Sequence, residues 1–177
     1  DINNFPMIGE LAIGHVDWRK KQNHVCYVGG IGTARGIEEV VKAMSLVETP
    51  ARLQLAGQFS ERTTEARITT LPGWERVDAL GYLDRKAVRD ALACSMAGLV
   101  TFHPLPNHVD AQPNKIFEYM GARIAVIASN FPLWREIIEG NQCGLCVDPL
   151  NPSEIAKAID YILTHPEEAQ RMGENGL

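Results

Sequence analysis

The chain has no apolar run approaching the roughly 20 residues that a bilayer-crossing helix needs, so no membrane-spanning segment is expected. It also lacks a basic run that could track a nucleic-acid backbone. Net charge is −5, and the one cationic cluster, Arg19-Lys20-Lys21, is short and reads as a solvated face or linker. Nucleic acid is therefore excluded as a partner. There is no signal peptide, and the chain opens on Asp1 rather than Met. The expectation is a piece of a longer cytoplasmic protein, with membrane contact of the full-length protein left open.

Cysteine is sparse. Four are present, with one Cys-x-x-Cys, Cys143-Gly-Leu-Cys146. No second pair and no nearby histidine completes a zinc set. The pair falls on a strand-like stretch, Gln142–Val147, where positions i and i+3 face opposite sides. Two small strand residues in a reducing compartment are the expectation. No Ser/His/Asp or Cys/His order stands out for nucleophilic catalysis, and there is no internal repeat or low-complexity segment.

What remains is an ordinary globular composition. With 177 residues and 45% hydrophobic content, the chain suits one domain with a sizeable core. Residues 1–22 lack clear periodicity and read as a lead-in segment or interdomain connection; residues 23–177 read as the domain. Strands are expected at His24–Gly29, Arg52–Gly57, Arg76–Gly81, Gly98–Phe102, Ile124–Ala128 and Gly144–Val147. Helices are expected at Gly36–Val47, Arg85–Ser95, Asn114–Gly121, Leu133–Glu139, Pro152–Thr164 and Glu167–Met172. In the helix from Pro152, Ile155, Ala158, Ile159 and Ile162 share one side. Asn151-Pro-Ser-Glu supplies it with a cap, a first-turn proline and an acid at the positive end. Alternating strands and helices predict a doubly wound, Rossmann-like α/β fold: six parallel strands with helices on both faces.

The densest signal lies in residues 101–138. A strand there runs into a polar loop that delivers Asp110, Asn114, Lys115 and Glu118 to the start of a helix. Ligands of such sheets bind outside the carboxyl ends of the strands. The first strand ends in Val28-Gly-Gly-Ile-Gly-Thr-Ala-Arg-Gly36. Its glycines either let the backbone approach an anion with amides aimed at it, or simply make a tight turn. The spacing is not that of a dinucleotide fingerprint, and strand two ends Leu55-Ala-Gly-Gln-Phe59 without the acid that grips a ribose. A nicotinamide-dependent oxidoreductase therefore loses ground.

Arg35 and Lys115 each stand where a helix N-terminus disfavours a cation. In strand order 3-2-1-4-5-6 their loops share the switch-point crevice. Either both are solvated cations, or an anion sits between them, and phosphate suits the pair. Glu118, three residues past Lys115, either complements the helix dipole or accepts ribose hydroxyls. Asp110 is either a turn aspartate or a carboxylate facing a sugar. His103 and His108 frame the loop without partners at metal-ligand spacing, so no metal site is expected.

These segments resemble the C-terminal, donor-binding half of the family-4 retaining glycosyltransferases of the GT-B group. Tyr27-Val-Gly-Gly … Ala34-Arg-Gly-Ile-Glu38 resembles that family's first loop. Pro113-Asn-Lys-Ile-Phe-Glu-Tyr-Met120 resembles its P-x-K-x-x-E-x-M segment. Ile124-Ala-Val-Ile-Ala-Ser129 resembles the strand that follows, and Gly144-Leu-Cys-Val-Asp-Pro149 with the terminal helices resembles the family's closing section. Asp110 stands where the family often has a first glutamate, and Gly30 where many members have an arginine. The resemblance implies a nucleotide-diphosphate sugar donor held between the first loop (Gly29, Gly30, Arg35) and the helix start (Asn114, Lys115, Glu118). It places the base near Gly81-Tyr82-Leu83, the ribose on Glu118 and the donor sugar before Asp110, with those two carboxylates as the catalytic pair. It implies no cofactor and no metal. A sugar or glycolipid acceptor would be held by an N-terminal domain outside this chain, leaving the fragment a poor transferase alone. A non-catalytic, flavodoxin-like binding or regulatory module is the alternative.

Overall fold

In the computed structural model, the structure describes residues 18, 21–111 and 114–176. Most of the 1–22 segment, with Arg19 and Lys20, lies outside the described residues, as does Pro113. Six strands form one sheet: β1 (His24–Val28), β2 (Arg52–Ala56), β3 (Val77–Gly81), β4 (Ala97–Val100), β5 (Ala125–Ser129) and β6 (Gly144–Val147). Their order is β3-β2-β1-β4-β5-β6, with every pairing parallel. This is the predicted doubly wound plan. A flavodoxin-like sheet would run 2-1-3-4-5, so the chain does not follow the flavodoxin plan.

The helices are α1 (Ile37–Met44), α2 (Arg62–Ile68), α3 (Arg85–Cys94), α4 (Pro106–Val109), α5 (Asn114–Gly121), α6 (Pro132–Gly140), α7 (Pro152–Thr164) and α8 (Pro166–Asn175). Two 3-10 turns, Thr33–Arg35 and Pro72–Arg76, precede α1 and β3. Helices α2 and α4 are additions to the sequence expectation, and both lack a periodic apolar face. α2 buries only Thr64 and Ile68, and α4 buries nothing.

Centre and edge of the sheet follow from composition. Every residue of β4 and β5 is buried, as a strand covered on both faces demands. Edge strand β3 buries only Val77. Helix α7 buries Ile155, Ala158, Ile159 and Ile162, the predicted stripe. Its Asn151 cap accepts from the Glu154 amide at 3.2 Å. The Asp160 carboxylate accepts from the Glu48 and Thr49 amides, tying α7 to the end of α1. Lys21 donates to the carbonyls of Ala93 and Ser95 at the end of α3, where a cation complements the dipole. All four cysteines are free thiols. Burial pushes the Cys143 thiol up to about 11 and the Cys146 thiol to about 12, which keeps both unreactive.

Two contacts decide how the upper loops meet. The αL residue Gly36 (φ +79) lies against the end of β4; a Cβ there would sit 2.0 Å from the Thr101 carbonyl oxygen. His103 bonds twice to the first loop region: its amide donates to Ala34 O at 2.9 Å, and its Nε2 lies 2.7 Å from Glu39 Oε1. The loops after β1 and β4 are therefore stitched together over the switch point.

Candidate functional site

The carboxyl ends of β1, β2 and β3 finish in glycines: Gly29, Gly57 and Gly81, all with positive φ. They are linked in series, with Gly29 N donating to Ala56 O and Gly57 N to Gly81 O. Gly57 packs so tightly that a Cβ would lie 1.8 Å from Gly29 O. Above this floor lies a cleft of about 500 Å³, lined by Gly29, Gly30, Gln58, Phe59, Tyr82 and Leu83 among others. Four residues singled out in the sequence, Gly29, Gly30, Tyr82 and Leu83, thus share one cavity. Tyr82 is 76% exposed, so a ring face is open to a planar ligand.

The glycine loop corrects one expectation. The Gly29 amide is taken by Ala56 O, and the Ile31 amide by Gln58 O. Those two N–H groups are satisfied within the sheet and do not point at a ligand. Gly29 serves close approach instead. A Cβ on Gly29 would fall 2.2 Å from Lys115 Nζ and 2.5 Å from its Cε. The missing side chain is the space that the Lys115 ammonium occupies.

Lys115 is the second residue of α5 and reaches across to β1. Its Nζ stands 5.5 Å from the centroid of the Tyr27 ring. Burial lowers its pKa; the Glu118 carboxylate opposes that shift and the Arg35 charge adds to it. Arg35 ends the 3-10 turn two residues before α1 and is exposed. Its guanidinium lies over Phe102, 4.5 Å from the ring centroid. Burial raises the Tyr27 pKa and the nearby Arg35 works against it. The two cations therefore converge on one buried tyrosine, and among the described residues neither forms an ion pair. Glu118 is half-buried on the same face of α5, its pKa raised by burial and opposed by Lys115. Asn114 opens α5.

Asp110 stands apart. It closes α4, is exposed, and no described side chain pairs with it. The structure brings Gly29, Gly30, Arg35, Lys115 and Glu118 together around Tyr27; Asp110 is not among them, and lies one residue before the Ala111 carbonyl that accepts the Trp134 indole N–H at 2.7 Å. Among the described residues no group of three or more His, Cys, Asp or Glu is arranged to hold a metal.

A second hollow of about 500 Å³ lies at the amino ends of the strands, near His24, Arg52 and Arg76. Its cations are already engaged. Arg52 forks onto Asp78, and Arg76 donates to the Met44 and Val47 carbonyls. It therefore offers no unspent charge to an anion.

Residues 12–177 match the family of Glycosyl transferases group 1. The chain belongs to that family. The α-D-kanosaminyltransferase of Streptomyces kanamyceticus is 26% identical over 155 residues, 85% of this chain and 39% of that protein. Sucrose-phosphate synthase from Thermosynechococcus elongatus superposes with a TM-score of 0.75 at 25% identity, over 94% of this chain and 44% of that one. The Anabaena HepE complex with UDP gives a TM-score of 0.81 at 18% identity, over 98% of this chain and 50% of that one. This group 1 glycosyl transferase chain thus spans about half the length of those relatives or less.

Sequence reasoning missed Tyr27, Phe102 and Glu39. Tyr27 sits in β1 and Phe102 just after β4, where aromatics are ordinary core residues. Only their places, within three residues of a loop glycine or a loop histidine, hinted at more.

Proposed function

We propose that this chain is the C-terminal, donor-binding domain of a family-4 retaining glycosyltransferase, and that its cleft takes a nucleotide-diphosphate sugar. The observation carrying this is the convergence of Arg35 and Lys115 on Tyr27, with neither in an ion pair among the described residues. A diphosphate between them would meet two positive charges, each worth about 4 kcal/mol at 4 Å in a partly screened site. That stabilises the diphosphate as it leaves, by charge already in place, with no metal required. Glu118 accepts the ribose hydroxyls, Asn114 opens the helix toward the phosphates, and the base rests near Gly81-Tyr82-Leu83. Asp110 faces the donor sugar. The Anabaena relative crystallised with UDP is consistent with this class of ligand.

The acceptor, a sugar or glycolipid, is held by a preceding domain, so this chain alone transfers sugar poorly or not at all. The test is a thermal-shift panel of uridine, guanosine and adenosine diphosphates with their sugar conjugates. At least one should raise the melting temperature, and Arg35→Ala or Glu118→Ala should abolish that rise. A flat response to the whole panel refutes the reading.

A further inference from the structure

A cation awaiting an anion must be held in place without being neutralised. A carboxylate would fix it but spend its charge, whereas an aromatic face orients a cation and leaves the charge available. Both cations are seated on an aromatic ring, and although the Glu118 carboxylate acts on Lys115 from the same helix, neither cation is in an ion pair among the described residues. Lys115 lies over Tyr27 and Arg35 over Phe102. We propose that Tyr27 and Phe102 are positioning residues for the diphosphate, each presenting one cation on its ring; this rests on the donor-cleft reading above.

Both rings are braced from behind. Tyr27 is buried, and its hydroxyl donates to Gly30 O at 2.6 Å. That bond turns the Gly30 carbonyl, an unwelcome dipole beside a phosphate, toward the tyrosine. The same residue thus seats Lys115 and orients the glycine loop. Phe102 is 5% exposed and packs edge-on against Trp134, ring centroids 5.7 Å apart. Trp134 is anchored in turn by its indole bond to Ala111 O and by Phe131 at 4.6 Å. Arg35 therefore rests on the end of a fixed aromatic stack. Exposed arginine side chains are otherwise rotamer-rich, and ordering one at the moment of binding costs affinity.

The experiment is calorimetric titration of the 177-residue chain with the nucleoside diphosphate that gives the largest thermal shift, and with its parent nucleoside. Tyr27→Leu and Phe102→Leu should each weaken diphosphate binding roughly 3- to 30-fold and leave nucleoside binding unchanged. Phe102→Tyr, which keeps the ring, should restore diphosphate affinity. Tyr27→Phe should keep the Lys115 contact and lose only the part due to the Gly30 bond. Should the leucine variants not fold, the wild-type NMR spectrum still decides: the Lys115 Hε protons must shift upfield under the Tyr27 ring. Unshifted Hε resonances, or leucine variants with full diphosphate affinity, overturn the inference while leaving the donor site standing. A wild-type chain that binds no diphosphate overturns both.

Discussion

Gly29→Ala separates the backbone role of the glycine floor from its electrostatic role. At φ +144 an alanine is strained, which costs about 1–3 kcal/mol, or about 2–12 °C in a domain of this size. The new Cβ also lands 2.2 Å from Lys115 Nζ. That atom ends a flexible chain, so the clash is relieved by moving the ammonium aside rather than by unfolding. The displaced ammonium forfeits a charge-assisted hydrogen bond to the diphosphate, about 1.5–3 kcal/mol, or roughly 10- to 150-fold in affinity. Two glycines calibrate the measurement. Gly30→Ala meets nothing within 4 Å and should leave the melting temperature unchanged. Gly73→Ala drives a Cβ to 1.9 Å from the Val41 carbonyl, outside the cleft lining; it should lower stability while diphosphate affinity holds. Thermal unfolding with and without the diphosphate, plus calorimetric titration, reads both quantities. Gly29→Ala protein that binds the diphosphate within about twofold of wild type refutes the placement of Lys115 in the site.

Diphosphate affinity should fall with rising pH sooner than for an ordinary lysine, because burial depresses the Lys115 pKa and the protonated form is the one that binds. Titration calorimetry across pH 7–10 checks it, and Lys115→Met should flatten that limb. Glu118→Gln should melt higher than wild type at pH 7 but bind the ligand roughly tenfold or more weakly. The sign follows from its raised pKa. Above the usual glutamate value the folded state binds more protons than the unfolded, so stability is lost as pH rises; the melting difference should vanish in acid, where both side chains are neutral. Gly98→Ala places a Cβ 2.4 Å from the Tyr119 ring, which is fully buried and bonded to Leu99 O. Overpacking of about 1–3 kcal/mol should appear as a lower urea midpoint.

The sheet was legible because its signals are one-dimensional. Apolar runs such as Ala125–Ser129 and the Asn151-Pro-Ser-Glu cap each state a local preference, and the structure keeps both. Alternation of strands with helices then leaves few topologies, of which order 3-2-1-4-5-6 is one. Helix α2 was not legible, since seven residues burying two side chains carry no period to detect. The site divides along the same line. Arg35 and Lys115 stand out because a cation at a helix start contradicts the local dipole, and a contradiction is visible in sequence; Glu118 is found through its place one turn after Lys115. Tyr27 and Phe102 contradict nothing, because a tyrosine in β1 and a phenylalanine after β4 are what a buried strand prefers. Their second role exists only once Lys115 reaches back from α5 and Arg35 forward from the first loop, 80 residues apart in the chain. A residue that satisfies the core and the ligand at once leaves no conflict in the sequence. Such residues must therefore be found from the cations they hold rather than from their own letters.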